Sequence, residues 1–138
     1  MAFWLVKEEP DHYPFAEFRA EGRTAWTGVR NHQARNHLRS MVEGDAVIYY
    51  HTGRERAAVG LARVAGAAYP DPTAAAGDWS CVDLEAGEPL PRPVPLAEIK
   101  ADPVLAGSAL VRQGRLSVVP LTAAEYRRIL ALAGARRR

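Results

Sequence analysis

Between Glu88 and Pro95 the chain carries four prolines, Pro89, Pro91, Pro93 and Pro95. Proline locks φ and removes a backbone donor, so this stretch has to run extended and cannot lie in the middle of a sheet. The segments around it decide what it can join. Phe3 to Lys7 is an apolar run of strand length, stopped by Glu8, Glu9 and Pro10. Pro14 opens a short helical segment with Phe15 and Phe18 toward the core and Gly22 as its stop. Thr24 to Thr27 is a weak strand candidate, and Asn31 is an N-cap for a helix to about Met41. Ala34, Leu38 and Met41 share one face of that helix, and His32, Arg35 and Arg39 the opposite one.

After the Glu43-Gly44-Asp45 turn, Ala46 to His51 has strong strand propensity, and Val59 to Ala65 should pair with it. Tyr69 to Asp78 has loop composition and is expected to be the most mobile internal segment. Trp79 to Leu84 reads as a strand, Leu96 to Lys100 as one helical turn, and Arg115 to Val119 as a late strand closed by Pro120. Thr122 and Glu125 form a capping box for a final helix, docked through Tyr126, Ile129, Leu130 and Ala133 and ended by Gly134. Short strands with helices not in strict alternation predict an α+β fold around a small, strongly curved mixed sheet of five or six strands.

At 138 residues the chain fits one domain and buries about two-thirds of its unfolded surface. The apolar 48% and charged 25% are average for a globular protein. The opening Met1 to Val6 run is too short for a signal segment, and no apolar stretch approaches the ~20 residues of a membrane span. Cys81, the only cysteine, excludes an internal disulfide. A cytoplasmic monomer without a membrane partner is expected.

The formal charge of +2 hides an asymmetry, because Arg136, Arg137 and Arg138 supply three positive charges and leave the body at −1. Within that body Arg19, Arg23, Arg30, Arg35 and Arg39 face only Glu21. Such a segment suits phosphates; with only Lys7 and Lys100 as lysines, arginine abundance can equally reflect the base composition of the source genome.

Catalytic signatures are missing. The chain has no phosphate loop, dinucleotide-binding glycine turn or nucleophile elbow. His32 and His37, five apart on one helix, point to different sides, so no shared metal is expected. Cys81 reads as a small core residue. Neither cofactor nor metal nor catalytic residue is assigned. Three constellations remain. Trp26-Thr27-Gly28-Val29-Arg30-Asn31 either stacks a ring and presents a helix start to a phosphate, or is a core tryptophan beside an ordinary cap. Tyr49-Tyr50-His51-Thr52 either lines a pocket with one face or belongs to a barrel core. Lys7-Glu8-Glu9-Pro10 sits either at a cavity mouth or in a solvated turn.

Taken together, the first of these constellations extended through His32-Gln33-Ala34-Arg35-Asn36, the other two with Phe3 to Val6 added, Tyr69-Pro70-Asp71 and Arg115 to Pro120 resemble the EVE domain pattern, in order and over nearly the whole chain. The resemblance implies an EVE domain over 1–135 with a basic tail at 136–138. It also implies a PUA-like pseudobarrel flanked by helices, related in fold to YTH and ASCH domains. The family implies a binder of modified bases, especially modified cytosine in DNA, with nucleic acid or a modified nucleoside as partner. Carried over position by position, the base pocket involves Lys7, Glu8, Trp26, Gly28, Val29, Asn31, Tyr50 and His51, and phosphates meet Arg30, Arg35 and Arg39.

Glu8, Thr27 and His32 depart from the family's usual Ser or Thr, Asp, and Tyr. Glu8 matters most, because an ionised carboxylate only accepts hydrogen bonds and so suits an exocyclic amine. The loop at Ala74 to Asp78 is short for the family. Two alternatives stand beside the binding module. One is an ASCH-like amidohydrolase of modified nucleosides that pairs Lys7 with Glu8; the other is a protein-interaction domain.

Overall fold

In the computed structural model, which describes residues 1–135, the strands are β1 (Phe3–Glu8), β2 (Arg23–Ala25), β3 (Ala46–His51), β4 (Ala57–Val64), β5 (Tyr69–Pro70), β6 (Ser80–Cys81), β7 (Asp83–Pro95) and β8 (Val118–Leu121). The helices are α1 (Phe15–Glu21), α2 (His32–Ser40), α3 (Leu96–Ala101), α4 (Ala109–Arg112) and α5 (Ala123–Leu132). Six strands form one mixed sheet in the order β2-β7-β4-β3-β1-β8, and β5 pairs with β6 in a separate ribbon. β1 runs parallel to β3 at the centre, and the other pairings are antiparallel. The arginine tail at 136–138 lies outside the described residues.

The sheet curls strongly. β2 and β3 are separated by two strands, so in a flat sheet they would lie about 14 Å apart. Trp26, just past β2, nevertheless packs edge-on against Tyr49 of β3 with ring centroids 5.5 Å apart. Tyr49 is fully buried and is also met by Phe15 and Phe18 of α1, at 5.3 and 5.4 Å. α1 thus lies inside the curl. The register shifts along β4 on both sides, between Tyr49 and Tyr50 of β3 and around Gly60, and such bulges bend a strand. Gly60 is required there, because the Phe15 ring occupies the space where a Cβ would stand.

The proline stretch is the second half of β7. β2 pairs only with residues 83–85 of β7, so the proline half has β4 on one side and no strand on the other. At the end of the strand the Leu96 N–H donates inward to the Arg56 carbonyl at 2.7 Å, so by alternation Pro95 and Pro93 turn their missing donors to the free edge. Pro120 does not close the last strand as expected but sits within β8 opposite Trp4. It is tolerated because β8 is the other edge of the sheet.

The expected helix starts appear. Asn31 caps α2 by accepting from the Ala34 N–H at 2.9 Å, and Thr122 with Glu125 forms the capping box of α5. Trp79 to Leu84 is split, its Ser80–Cys81 pair joining β5 and its end opening β7. The early strand is Arg23–Ala25 rather than Thr24 to Thr27, because the chain turns there, the Thr27 N–H donating back to the Ala25 carbonyl at 3.0 Å, while the Trp26 N–H still donates to the Val82 carbonyl at 2.7 Å. The late strand starts at Val118, since Arg115 to Ser117 belong to the turn after α4, a helix with no advance signal. Asp45, 3% exposed, joins the start of β1 to the α2–β3 turn by accepting from Trp4 Nε1, Ala2 N and Val42 N, each at 3.0 Å.

Gly60→Ala is expected to lower the urea midpoint of unfolding by an amount equivalent to about 1–3 kcal/mol, the usual range for an overpacked core. Gly87→Ala, where the nearest atom to an added Cβ is the Leu61 carbonyl oxygen at 3.0 Å, should cost less. Equal midpoints for Gly60→Ala and the parent would contradict the packing described for Phe15.

Candidate functional site

The curl leaves a cleft of about 310 Å³ between the end of β1 and the β2 edge, lined by Glu8, His12, Tyr13, Glu17, Thr24, Ala25, Trp26 and Thr27. This is the lower end of the size range of small-molecule sites, ~300–1,000 Å³. Each wall has a local cause. Glu8 is the last residue of β1; its carboxylate accepts from the Glu9 N–H at 2.9 Å and lies 3.2 Å from His12 Nδ1. Tyr13 sits on the turn into α1, its hydroxyl donating to Glu21. Burial and that carboxylate push its pKa up to about 12, so it remains a protonated donor at neutral pH. Trp26 rests between Tyr49 and Tyr13, whose ring centroid is 6.4 Å away. The cleft therefore offers an aromatic wall and two carboxylates, Glu8 and Glu17.

The residues singled out in the sequence are distributed over more than this cleft. Glu8 and Trp26 line it, although Trp26 is only 6% exposed and so is also part of the core. Lys7 points to the opposite face of the sheet, because neighbours in a strand alternate. Its Nζ donates to the Gly114 carbonyl at 2.9 Å and lies 5.7 Å from the centroid of Tyr50, its register partner. Burial lowers the Lys7 pKa and raises that of Tyr50. His51 shares the inner face with Tyr49, but both of its ring nitrogens are engaged. The Phe15 N–H donates to Nε2 at 3.0 Å, and Nδ1 lies 3.0 Å from Glu55. It anchors the first turn of α1 rather than facing the cleft.

Gly28, Val29 and Asn31 shape the segment that leaves the cleft for α2. Gly28 has φ 83°, a left-handed conformation that favours glycine, and donates its N–H to Asp71 Oδ2 at 2.8 Å. Val29 is buried. Arg30 bonds the same Asp71 oxygen at 3.0 Å, Arg35 reaches the Asp78 carbonyl at 3.1 Å, and Arg39 donates to Ser80 Oγ at 2.9 Å and pairs with the Asp78 carboxylate at 2.6 Å. Trp79 is sandwiched here: His32 stacks on it at 4.9 Å, and the Arg30 and Arg35 guanidinium groups lie 5.7 and 5.8 Å from its ring. The helix face opposite the core, whose arginines the resemblance gives to phosphates, is thus the surface to which the 71–80 loop is tied. Burial works against the Asp71 charge, yet hydrogen bonds from Thr73, Gly28 and Arg30 hold its carboxyl far below the usual range.

Tyr13, Glu17 and Thr24 line the cleft without having been singled out as site residues in the sequence, whereas Thr27 belonged to the Trp26–Asn31 constellation. Nothing in their spacing brings them together; only the curl does. Asp71 had one signal, its place in the Tyr69-Pro70-Asp71 motif.

The EVE domain family model matches residues 2–132. Human thymocyte nuclear protein 1 is 31% identical over 163 aligned residues, which cover 94% of this chain and 72% of the relative. The structure of human THYN1 in complex with 5-methylcytosine-containing DNA superposes with a TM-score of 0.89 at 30% identity, covering 99% of this chain and 100% of that one. A Rhodopseudomonas palustris protein solved by NMR gives a TM-score of 0.91 at 46% identity, covering 97% and 94% of the two chains. An ASCH protein of Zymomonas mobilis shares the fold, with a TM-score of 0.60 at 13% identity over 94% of this chain and 97% of that one.

Because the folded pKa of Asp71 is depressed, its stabilising contribution is complete above the ordinary carboxylate value of ~3.9 and is lost as pH falls from there toward the folded pKa. Asp71→Asn should cost about 2–3 kcal/mol at neutral pH, the worth of a charged hydrogen-bond acceptor. Urea midpoints measured near neutrality and near pH ~3 should differ less in this variant than in the parent. An identical pH dependence in both would sink the role given to Asp71.

Proposed function

The chain belongs to the EVE domain family, and on that premise we propose that it is a cytoplasmic, non-catalytic module that binds a modified cytosine in DNA. The observation that carries this reading is the cleft at the end of β1, where the buried Trp26 ring meets the carboxylates of Glu8 and Glu17. A cytosine edge presents its N4 amine as a donor, for which Glu is a natural acceptor. An aromatic wall contributes ~1–3 kcal/mol per stacked base, enough to offset much of the few kcal/mol needed to take a base out of a duplex. The relative solved with 5-methylcytosine-containing DNA supports the choice of ligand.

The amidohydrolase alternative needs Lys7 and Glu8 at one reacting centre. Their side chains leave β1 on opposite faces, Lys7 toward Gly114 and Glu8 toward His12, which favours the binding reading over that pair.

Burying one methyl group contributes ~0.8 kcal/mol, so a 5-methylcytosine oligonucleotide should bind about fourfold more tightly than its unmodified counterpart in a fluorescence-anisotropy titration. Trp26→Ala should lose ~3–5 kcal/mol of folding stability, given the burial of the ring. Trp26→Phe, which keeps a smaller aromatic face and loses less packing, is therefore the variant to titrate; it and Glu8→Gln should each weaken binding several-fold in folded protein, Glu8→Gln with little change in melting temperature. Equal affinity for modified and unmodified DNA, or no effect of Glu8→Gln, would overturn this assignment of the cleft. Tighter binding of RNA or of a free nucleoside in the same titration would reassign the carrier.

A further inference from the structure

A base cleft walled by carboxylates is a poor place for phosphates, and Arg30, just before α2, and Arg39 within it are already engaged with Asp71 and Asp78. The backbone of a bound strand must find its counter-charge elsewhere. β1 and β3 are parallel while β4 and β8 run antiparallel to them, so the ends of β1 and β3 and the starts of β4 and β8 all lie at one end of the sheet. That end carries Arg54, Arg56, Lys7, Lys100, Arg112 and Arg115. None of the six is in an ion pair among the described residues.

These cations form a connected arrangement. Arg112 and Arg115 line a cleft of about 360 Å³ together with Asn31, Gln33 and Gly114. Lys7 bonds the Gly114 carbonyl at 2.9 Å on that side and covers the Tyr50 ring on the other. Arg56 lies near enough to Tyr50 to oppose the rise in its pKa that burial causes. Arg54, Arg56 and Lys100 then line a further cleft of about 230 Å³, whose one carboxylate, Glu55, is held by His51 at 3.0 Å. Arg56 is also the one non-glycine residue with positive φ, 42°, among the described residues. Its carbonyl accepts from Leu96 N at 2.7 Å, so the surroundings hold a large cation in a strained conformation, a feature that clusters at binding sites.

We propose that this strip carries the phosphodiester backbone of the nucleic acid, with Arg112 and Arg115 on one side of β1, Arg54 and Arg56 on the other, and Lys7 between them. The proposal rests on reading the acidic cleft as the base site. The two are close: Thr27 lines the base cleft and Asn31 the arginine cleft, and four residues of chain span at most about 14 Å. Glu8 and Lys7, adjacent in β1, divide the work, the carboxylate facing the base and the ammonium the backbone.

The test uses the full chain with two double variants, Arg112→Gln/Arg115→Gln and Arg54→Gln/Arg56→Gln. Each is titrated with a labelled single-stranded 5-methylcytosine oligonucleotide between ~50 and ~200 mM salt and, separately, with free 5-methylcytidine. Each double variant should flatten the slope of log K against log salt by about 1.4, the equivalent of two single-strand phosphate contacts. Oligonucleotide affinity at low salt should fall tenfold or more, while 5-methylcytidine binding and the melting temperature stay as in the parent. Unchanged slopes in folded variants would overturn the strip and leave the base cleft standing. Flattened slopes in a protein that binds no 5-methylcytidine would keep the strip and remove the base cleft. Polyglutamate competing as well as an oligonucleotide of equal charge would identify an acidic protein surface as the partner and overturn the proposal.

Discussion

The fully buried ring of Tyr49 is the contact on which the inner half of this molecule is assembled. Phe15 and Phe18 bring α1 to it, Trp26 brings the β2 edge, and its hydroxyl donates to the Tyr13 carbonyl. Tyr13 in turn forms one wall of the cleft. Aromatic contacts of this kind add about 0.5–1.5 kcal/mol each beyond the area they bury. Because several converge on one ring, the sheet is held in its curl from inside. The cleft is the space left over when α1 and β2 close upon Tyr49, so its shape is a consequence of core packing and changes little without changing the core.

Strand alternation at Lys7 and Glu8 sets the electrostatics around that space. At an effective dielectric constant of about 20, like charges about 4 Å apart repel by roughly 4 kcal/mol. Phosphates are therefore kept away from Glu8 and Glu17, whereas a neutral group with hydrogen-bond donors meets no such repulsion. The Asp71 latch acts on the adjoining segment. A single buried carboxylate takes the N–H of Gly28 and the guanidinium of Arg30, so the chain between this cleft and α2 is ordered by contacts with a loop more than forty residues away. Preordered recognition segments lose less conformational entropy on binding.

Much of the frame was legible from local rules. The Asn31 cap, the Thr122–Glu125 capping box and the strand at Ala46 to His51 depend on residues close in sequence, and each appears as expected. The proline rule also held for Glu88 to Pro95, since it concerns the backbone alone. What was not legible was partnership across the curl. His51 looked available to a ligand because the sequence does not show that Phe15 and Glu55 take both of its nitrogens. The loop partners of Arg30, Arg35 and Arg39 were hidden for the same reason, lying about forty residues away. For Trp26 the sequence leaves core and pocket open; the ring packs against Tyr49 in the core and also lines the cleft.

The prolines of β7 have a consequence for how these molecules meet one another. A sheet edge with a full row of N–H donors is a template on which another chain can add a strand, the first step toward aggregation. Among the described residues the far half of β7 has no strand on its outer side, and Pro93 and Pro95 leave no donor there. At the opposite margin β8 carries Pro120. Both margins of the curled sheet are thereby poor templates, and the protein can remain open enough to hold a cleft without its exposed edges recruiting further copies.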